Sequence, residues 1–310
     1  METGLGYSTD VGPRGQLKWT KPWINDSGHS ISAATELSTL EQSADLSYKI
    51  PLEENALEHY WLLQTGYKHE DLNDTLSKGA TVRASRYWAP YEGWQKSLSL
   101  TWSLNDFTQG LDDYKTTLIY PSATISRTRS RGGLMPRWGE SQRVTVDFAQ
   151  ELWGSDVDLV RLQADAVFIR TLALRHRFVL RSRFGYLHTE EFGRVPPDLR
   201  FFAGGDRSIR GYGYEKVSPE DSEGNLTGAS KLLTGSAEYQ FNVTGKWWGA
   251  VFFDAGSAAH SWSGDSLKKG AGVGVRWESP LGPIRLDVAR PIGDSDESGF
   301  EIYIVLGPEL

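Results

Sequence analysis

The sequence contains no cysteine, so no disulfide can brace its fold. That absence is compatible with a cell-envelope compartment and with a cytosolic one. It has no run of 18 apolar residues, which excludes a transmembrane helix. It has no excess of positive charge: 33 Lys+Arg stand against 40 Asp+Glu, a formal net charge of −7, which argues against a nucleic-acid partner. No Pro/Ser-rich linker divides the 310 residues, a length that one all-β barrel can take up. The start, Met1-Glu2-Thr3-Gly4, is not a charged segment followed by an apolar one, so it is no signal peptide. A strand pattern begins there at once, and the chain therefore reads as part of a longer exported protein with an added start Met.

What the sequence does have is a period of two. Leu98, Leu100, Trp102 and Leu104 alternate with Ser97, Ser99, Thr101 and Ser103. Val144, Val146 and Phe148 alternate with Arg143, Thr145 and Asp147, and Ile284, Leu286 and Val288 with Arg285, Asp287 and Ala289. In a strand successive side chains face opposite ways, so these runs have one apolar and one polar face. Turn clusters such as Asn25-Asp26-Ser27-Gly28, Asn73-Asp74, Gly110-Leu111-Asp112-Asp113 and Gly293-Asp294-Ser295-Asp296 separate them. The reading predicts strands over 2–9, 14–22, 29–40, 43–50, 57–69, 76–88, 93–104 and 114–129. It continues with 141–151, 158–170, 175–188, 230–243, 246–256, 268–279, 283–291 and 298–306. That makes sixteen, mostly of a length that crosses a bilayer when tilted.

A soluble β-sandwich would also alternate, but sixteen strands would then form two or three domains joined by linkers. Aromatic residues recur near strand ends, namely Trp19, Trp23, Tyr87, Trp88, Tyr91, Trp94, Trp247, Trp248 and Trp277. A membrane barrel places such residues in girdles at both interfaces. The expected fold is all-β: a 16-stranded antiparallel transmembrane β-barrel. An even strand count puts both termini on one side, with short turns after even strands and longer loops after odd ones. The longest loop, 189–229, follows the eleventh strand, and loops of that length are functional or disordered.

Within it lies Ile209-Arg210-Gly211-Tyr212. On the strands that follow, alternation points Glu238 into the lumen with Thr234, Ser236 and Gln240. The next strand sets Phe252, Asp254 and Gly256 against Val251, Phe253 and Ala255, and an acid should avoid lipid, so Asp254 also faces inward. Arg210 could fold back to these lumen groups, Glu238, Phe252 and Asp254, because its planar fork holds two acceptors at once. Spacing alone leaves a second reading open, in which Arg210 is a solvated loop residue and the acids line a pore.

Ile209-Arg210-Gly211-Tyr212 resembles the (V/I)RG(F/Y) motif of the superfamily that joins periplasmic POTRA repeats to a 16-stranded outer-membrane barrel, and which includes BamA and the TpsB transporters. Phe252-Phe253-Asp254-Ala255-Gly256 is similar to its F-x-D-x-G strand, and Gly272 to Asp287 to its carboxy-terminal strand pair. These motifs cover 200–310. The resemblance implies that the Arg of the sixth external loop docks inside the barrel. Within the superfamily, Gly204-Gly205 and the ending Leu306-Gly307-Pro308-Glu309-Leu310 look most like the TamA family, outer-membrane subunits of the translocation and assembly module. That implies insertion of client barrels such as autotransporters, a TamB-like inner-membrane-anchored partner, and a place in the outer membrane of a Gram-negative cell with periplasmic termini. The 310 residues hold no POTRA repeats, and they do not end on an aromatic residue as many outer-membrane barrels do.

A barrel closes by pairing its first and last strands. Here the first carries Gly4 and Gly6, and glycine weakens a strand. The last, with Phe300, Ile302 and Ile304, is flanked by Gly299 and Gly307, and Pro308 lacks a donor. A weak seam here could open and offer unpaired backbone groups to an incoming strand; the alternative is that the glycines only accommodate curvature. No covalent chemistry, nucleotide or cofactor is expected. Gly264-Asp265-Ser266-Leu267 spells a hydrolase nucleophile block, but no His, His260 included, is placed as its base. Gly270–Gly274 lies within a strand with no helix behind it and cannot cradle a phosphate. The six His have no metal-ligand spacing. Arg175, Arg177, Arg181 and Arg183 form a stripe expected to line the lumen and pair with acids. Two other functions stay open: a two-partner-secretion transporter passing an unfolded protein through the lumen, and a passive pore.

Overall fold

The computed structural model describes residues 2–8, 12–90, 93–133, 135–262, 266–280, 282–294 and 299–307. Its strands form one antiparallel sheet in which each pairs with its sequence neighbours, in the order of the chain. They are β1 (Glu2–Ser8), β2 (Gly12–Lys21), β3 (Ser30–Ser38), β4 (Glu41–Pro51), β5 (His59–Leu72), β6 (Thr75–Trp88), β7 (Gln95–Gln109) and β8 (Asp112–Arg131). The second half holds β9 (Trp138–Ala149), β10 (Leu159–Leu172), β11 (His176–His188), β12 (Lys231–Thr244), β13 (Trp247–Ala259), β14 (Lys268–Ser279), β15 (Gly282–Pro291) and β16 (Glu301–Leu306). Among the described residues the helical turns are short 3-10 segments, Glu151–Trp153, Phe192–Arg194 and Pro197–Leu199.

The faces are inverted relative to a soluble sheet. On β7 Leu98, Leu100, Trp102 and Leu104 are exposed, whereas Thr101, Ser103, Asn105 and Gln109 are buried. Val251 and Phe253 on β13 and Val273 and Val275 on β14 also face out, while Asp254 and Arg276 on the same strands are fully covered. An apolar exterior around a polar interior is what lipid outside and water or protein inside select.

The expected sorting of short and long connections fails in the first half. There the odd-to-even turns are tight, at 39–40, 73–74 and 110–111, and the longer links, 22–29, 52–58, 89–94 and 132–137, follow even strands. The length lies in the wall instead: β7 and β8 run 15 and 20 residues, beyond the roughly 9–11 that a tilted strand needs to cross a bilayer. From β9 onward the expected pattern returns, with the long segment 189–230 between β11 and β12.

The girdle expectation needs two corrections. The aromatic residues named above that fall in the described set lie at the end of the barrel carrying the even-to-odd connections, and Tyr91 is outside that set. Trp248 is not on the belt. It is buried and donates its Nε1–H to Glu278 Oε1 at 3.0 Å, because its parity on β13 matches inward Asp254, while Trp247 stacks outside on Trp277. Arg175 is likewise not a lumen residue: it sits in the 173–175 turn and donates to the Asn242 and Val243 carbonyls.

Segment 189–230 fills the mouth of the barrel. Its isolated bridges, Phe201 with Ala229, Ala203 with Val217 and Glu220 with Leu226, give it a fold of its own. Its Val195, Phe201, Ile209, Tyr212 and Val217 share an apolar cluster with Leu118, Leu159, Leu187 and Leu232 of the wall. At the sheet's two ends, β1 and β16 approach each other, yet among the described residues no ladder joins them. They are also short, seven and six residues.

Candidate functional site

Ile209 and Tyr212 anchor the loop tip in the apolar cluster, which leaves Arg210 aimed at β12, β13 and β15. Its guanidinium forks onto Asp254, with Nε to Oδ2 at 2.7 Å and Nη2 to Oδ1 at 3.0 Å, and its backbone N–H donates to the same carboxylate at 3.0 Å. Nη1 reaches Glu238 Oε2 at 2.7 Å and Asp287 Oδ2 at 3.3 Å, and Nη2 reaches Ser236 Oγ at 3.2 Å. The guanidinium carbon lies 3.4 Å from the centre of the Phe252 ring, so Phe252 offers a π face where the sequence suggested an acceptor. Arg210 is 1 % exposed and Asp254 0 %.

Sequence reading reached Arg210, Glu238, Phe252 and Asp254, and the structure brings these four together. It did not reach Arg276 and Asp287, while Arg181, expected in the lumen among acids, also joins the set. Arg276 donates to Glu238 Oε1 through Nε (3.0 Å) and Nη2 (2.6 Å), and to Asp287 Oδ1 through Nη1 (2.5 Å). Arg181 donates to Glu238 Oε2 at 3.2 Å, and Asp287 links Arg210 to Arg276. Three guanidiniums thus meet three carboxylates, so the buried set is electrically balanced; each ion alone would be costly to desolvate. The missed signal was parity: Arg276 and Asp287 are charged residues on the inward phase of β14 and β15.

The glycines of β14 explain how the tip can come so close. A Cβ at Gly270 would fall against the Arg210 carbonyl oxygen, one at Gly272 against Val288 O and the Phe252 ring, and one at Gly274 against the Asp287 carboxylate. Gly211 has φ +103, and a Cβ there would lie 2.6 Å from the Arg290 carbonyl carbon. The stripe that cannot hold a phosphate is the bare floor on which the loop tip rests.

The tip also reaches the last strand. Tyr303 of β16, 1 % exposed, donates to the Tyr212 carbonyl at 2.9 Å and accepts the Gly211 N–H at 2.9 Å. Tyr303 and Val305 face inward, so Ile302 and Ile304 face out, and Phe300 is exposed ahead of the strand. Gly4 pairs with Gln16 and Gly6 with Arg14 on β2. Gly299 and Gly307 flank β16 with φ +151 and +139. Pro308, Glu309 and Leu310 lie outside the described residues.

The rim holds the rest of the loop. Gln109 donates to Leu226 O at 2.6 Å, Asp74 accepts the Leu226 N–H at 2.8 Å, and Lys68 meets Asp198 at 2.9 Å. The tight turns of the first half are therefore clasps. Inside the loop Arg200 donates to the carbonyls of Val195, Thr227 and Gly193; burial lowers its guanidinium to about 10. Burial, with the Glu70 carboxylate nearby, pushes the Glu215 carboxyl up to about 7.

Of the hydrolase-like block, Gly264 and Asp265 lie outside the described residues, and Ser266 accepts from Ser257 Oγ. His260 meets Ser230 and Phe192 instead. Among the described residues no group of His, Asp and Glu could hold a metal.

The Omp85 superfamily domain matches residues 2–308. The chain is 33% identical over 149 residues to the outer membrane protein assembly factor BamA of Nitratidesulfovibrio vulgaris, a match covering 46% of this chain and 19% of that protein. It is 36% identical over 108 residues to outer envelope protein 80 of Arabidopsis thaliana, covering 31% of this chain and 14% of that one. The chain thus spans a minor part of these relatives' length. In fold it is similar to the crystal structure of Haemophilus ducreyi BamA lacking POTRA domains 1-3, with TM-score 0.85 at 16% identity over 99% of this chain and 69% of the other. CdiB from Acinetobacter baumannii shares the fold at TM-score 0.62 and 13% identity, over 99% and 60%. With matching motif, barrel and docked loop, the chain belongs to the Omp85 superfamily.

Proposed function

We propose that this chain is the barrel portion of an outer-membrane protein assembly factor, which inserts client β-barrel proteins through the boundary between β1 and β16. The observation that carries the reading is a contrast. A loop is held inside the barrel through a buried charge network, while no ladder joins β1 to β16 among the described residues. In a bilayer, unpaired N–H and C=O groups are costly, so an edge that opens there favours a client strand able to complete it. The backbone supplies the affinity and the client sequence matters little. Within the superfamily we assign the chain to the TamA type, with autotransporters among its clients, a TamB-like partner anchored in the inner membrane, and periplasmic termini. Gly204-Gly205 before the motif and the sequence ending Leu306-Gly307-Pro308-Glu309-Leu310 support that assignment.

The test uses the cysteine-free background of the chain. Gly4→Cys and Ile302→Cys in the full-length protein are joined by a short bis-thiol reagent, and client insertion into liposomes is measured with and without the bridge. Loss of insertion only when bridged supports the seam. Undiminished insertion through a bridged seam overturns it and leaves passage through the lumen, as in a two-partner-secretion transporter. Leakage of small solutes through the wild-type barrel with the loop docked would instead indicate a passive pore.

A further inference from the structure

The outer wall over β7 to β10 changes character at one level, near the end carrying the 89–94 and 132–137 connections. Leu98, Ile125, Val144 and Val146 face out and are exposed. One or two outward positions further along, the same strands carry Lys96, Arg127, Arg129, Arg131 and Arg170. The register aligns them: Lys96 pairs with Ile125, Arg129 with Glu140, and Arg131 and Arg170 with Trp138. Against these five cations the outward positions at this end of the four strands carry one carboxylate, Glu140. It already serves Arg127 at 2.7 Å and Arg129 at 2.5 Å, with Arg170 at 3.6 Å. Among the described strand residues at this end, four positive charges are left in excess, on a chain whose net charge is −7.

These cations are held in place by aromatic rings. Arg127 lies 4.9 Å from the Trp94 ring centre, and Arg129, Arg131 and Arg170 lie 5.5, 5.3 and 4.8 Å from that of Trp138. Such pairing spares the guanidinium part of its entropy cost and leaves its edge free to donate. Among the described residues the buried Arg127 Nε has no hydrogen-bond partner. Directly beside it is an outward groove of about 680 Å³, walled by Trp88, Trp94, Leu98, Ile125, Val144 and Val146, with Lys96 at its edge.

An apolar groove that runs into a cationic, aromatic rim has the two halves of one amphiphile. We propose that this sector binds a glycerophospholipid with an anionic headgroup, its acyl chain in the groove and its phosphate between Lys96 and Arg127. Arginine suits phosphate because its fork donates two parallel hydrogen bonds, and tryptophan sits at headgroup level in bilayers. The protein as a whole is acidic, so the attraction is local to this sector and would orient the barrel's lipid annulus there.

The experiment takes delipidated full-length protein in a neutral detergent and titrates it with phosphatidylglycerol, phosphatidylcholine, lipid A or inorganic phosphate, reading bound lipid by native mass spectrometry. Phosphatidylglycerol should bind about tenfold tighter than phosphatidylcholine, and R127Q/R129Q should abolish that preference. Should this variant fail to fold by gel heat-modifiability, K96Q/R131Q carries the same expectation. R175Q/K246Q, in another sector, should leave the preference unchanged. Equal binding of the two phospholipids, or a preference that survives both rim variants, overturns the proposal. So does tighter binding of lipid A, or displacement of phosphatidylglycerol by millimolar inorganic phosphate, which would mark a plain anion site.

Discussion

Replacing Arg210 by Ala should release the loop tip while leaving the barrel wall intact. The three carboxylates would not suffer equally. Glu238 keeps Arg181 and Arg276, and Asp287 keeps Arg276. Asp254 loses both arms of the fork and retains the backbone N–H of residue 210. Its charge is fully covered, so the cost concentrates there, at about 3–5 kcal/mol for stranding one member of a buried ionic set. At about 1.4 kcal/mol per tenfold, loop undocking should become roughly a hundredfold to a few thousandfold more populated. Proteolysis of the folded, reconstituted protein reads this directly, with cleavage expected within 189–230 and the wall fragments staying intact. D254N alone should give a related defect by leaving Arg210 in excess. The double variant R210A/D254N should fall well short of the sum, since it strands neither charge. If R210A shows wild-type protection and wild-type heat resistance, the network does not hold the loop, and the contacts around Arg210 are incidental.

Three other expectations follow from named contacts. Gly270→Val puts a side chain where the Arg210 carbonyl lies, so the loop should be protease-sensitive although the acids are untouched; normal protection would refute the floor. Tyr303→Phe removes two hydrogen bonds between the loop tip and β16, at about 1–3 kcal/mol for the buried groups left unpaired. Hydrogen exchange should quicken in β16 and at 209–213 together, and a change confined to one of them would separate tip from seam. Glu215 has a folded-state pKa near 7 against an ordinary 4.5, so the docked loop binds the proton more tightly than the free one. Docking should therefore be strongest at and below about pH 4.5, weaken as pH rises through 7, and level off above it. Glu215→Gln should flatten that profile of protease protection, and a profile of opposite sign would refute the assignment.

Much of the architecture was legible because strand alternation is local. A period of two names the face of each side chain before any partner is known, which is why Glu238 and Asp254 could be aimed inward and the strands delimited to within a few residues. Locality also explains the misreadings. Trp248 and Arg175 were placed by residue type near a strand end, where parity and the position of the turn decide the outcome. The tight rim turns were misjudged because loop length says nothing about what the loop touches.

By itself, then, the sequence determined the all-β wall, its strand count, its inverted faces and, through a family motif, the Arg210–Asp254 pair. Only the tertiary structure decided that the acid Arg181 meets is Glu238, that Arg276 and Asp287 complete the network, that Gly270 to Gly274 form its floor, and that Tyr303 ties the tip to β16. It alone also revealed the cationic rim and its groove, and the missing ladder between β1 and β16 among the described residues. The physical reason is distance along the chain. The loop-tip contacts join residues as far as 92 positions apart, and they exist once the curved sheet brings its last six strands, β11 to β16, around one loop.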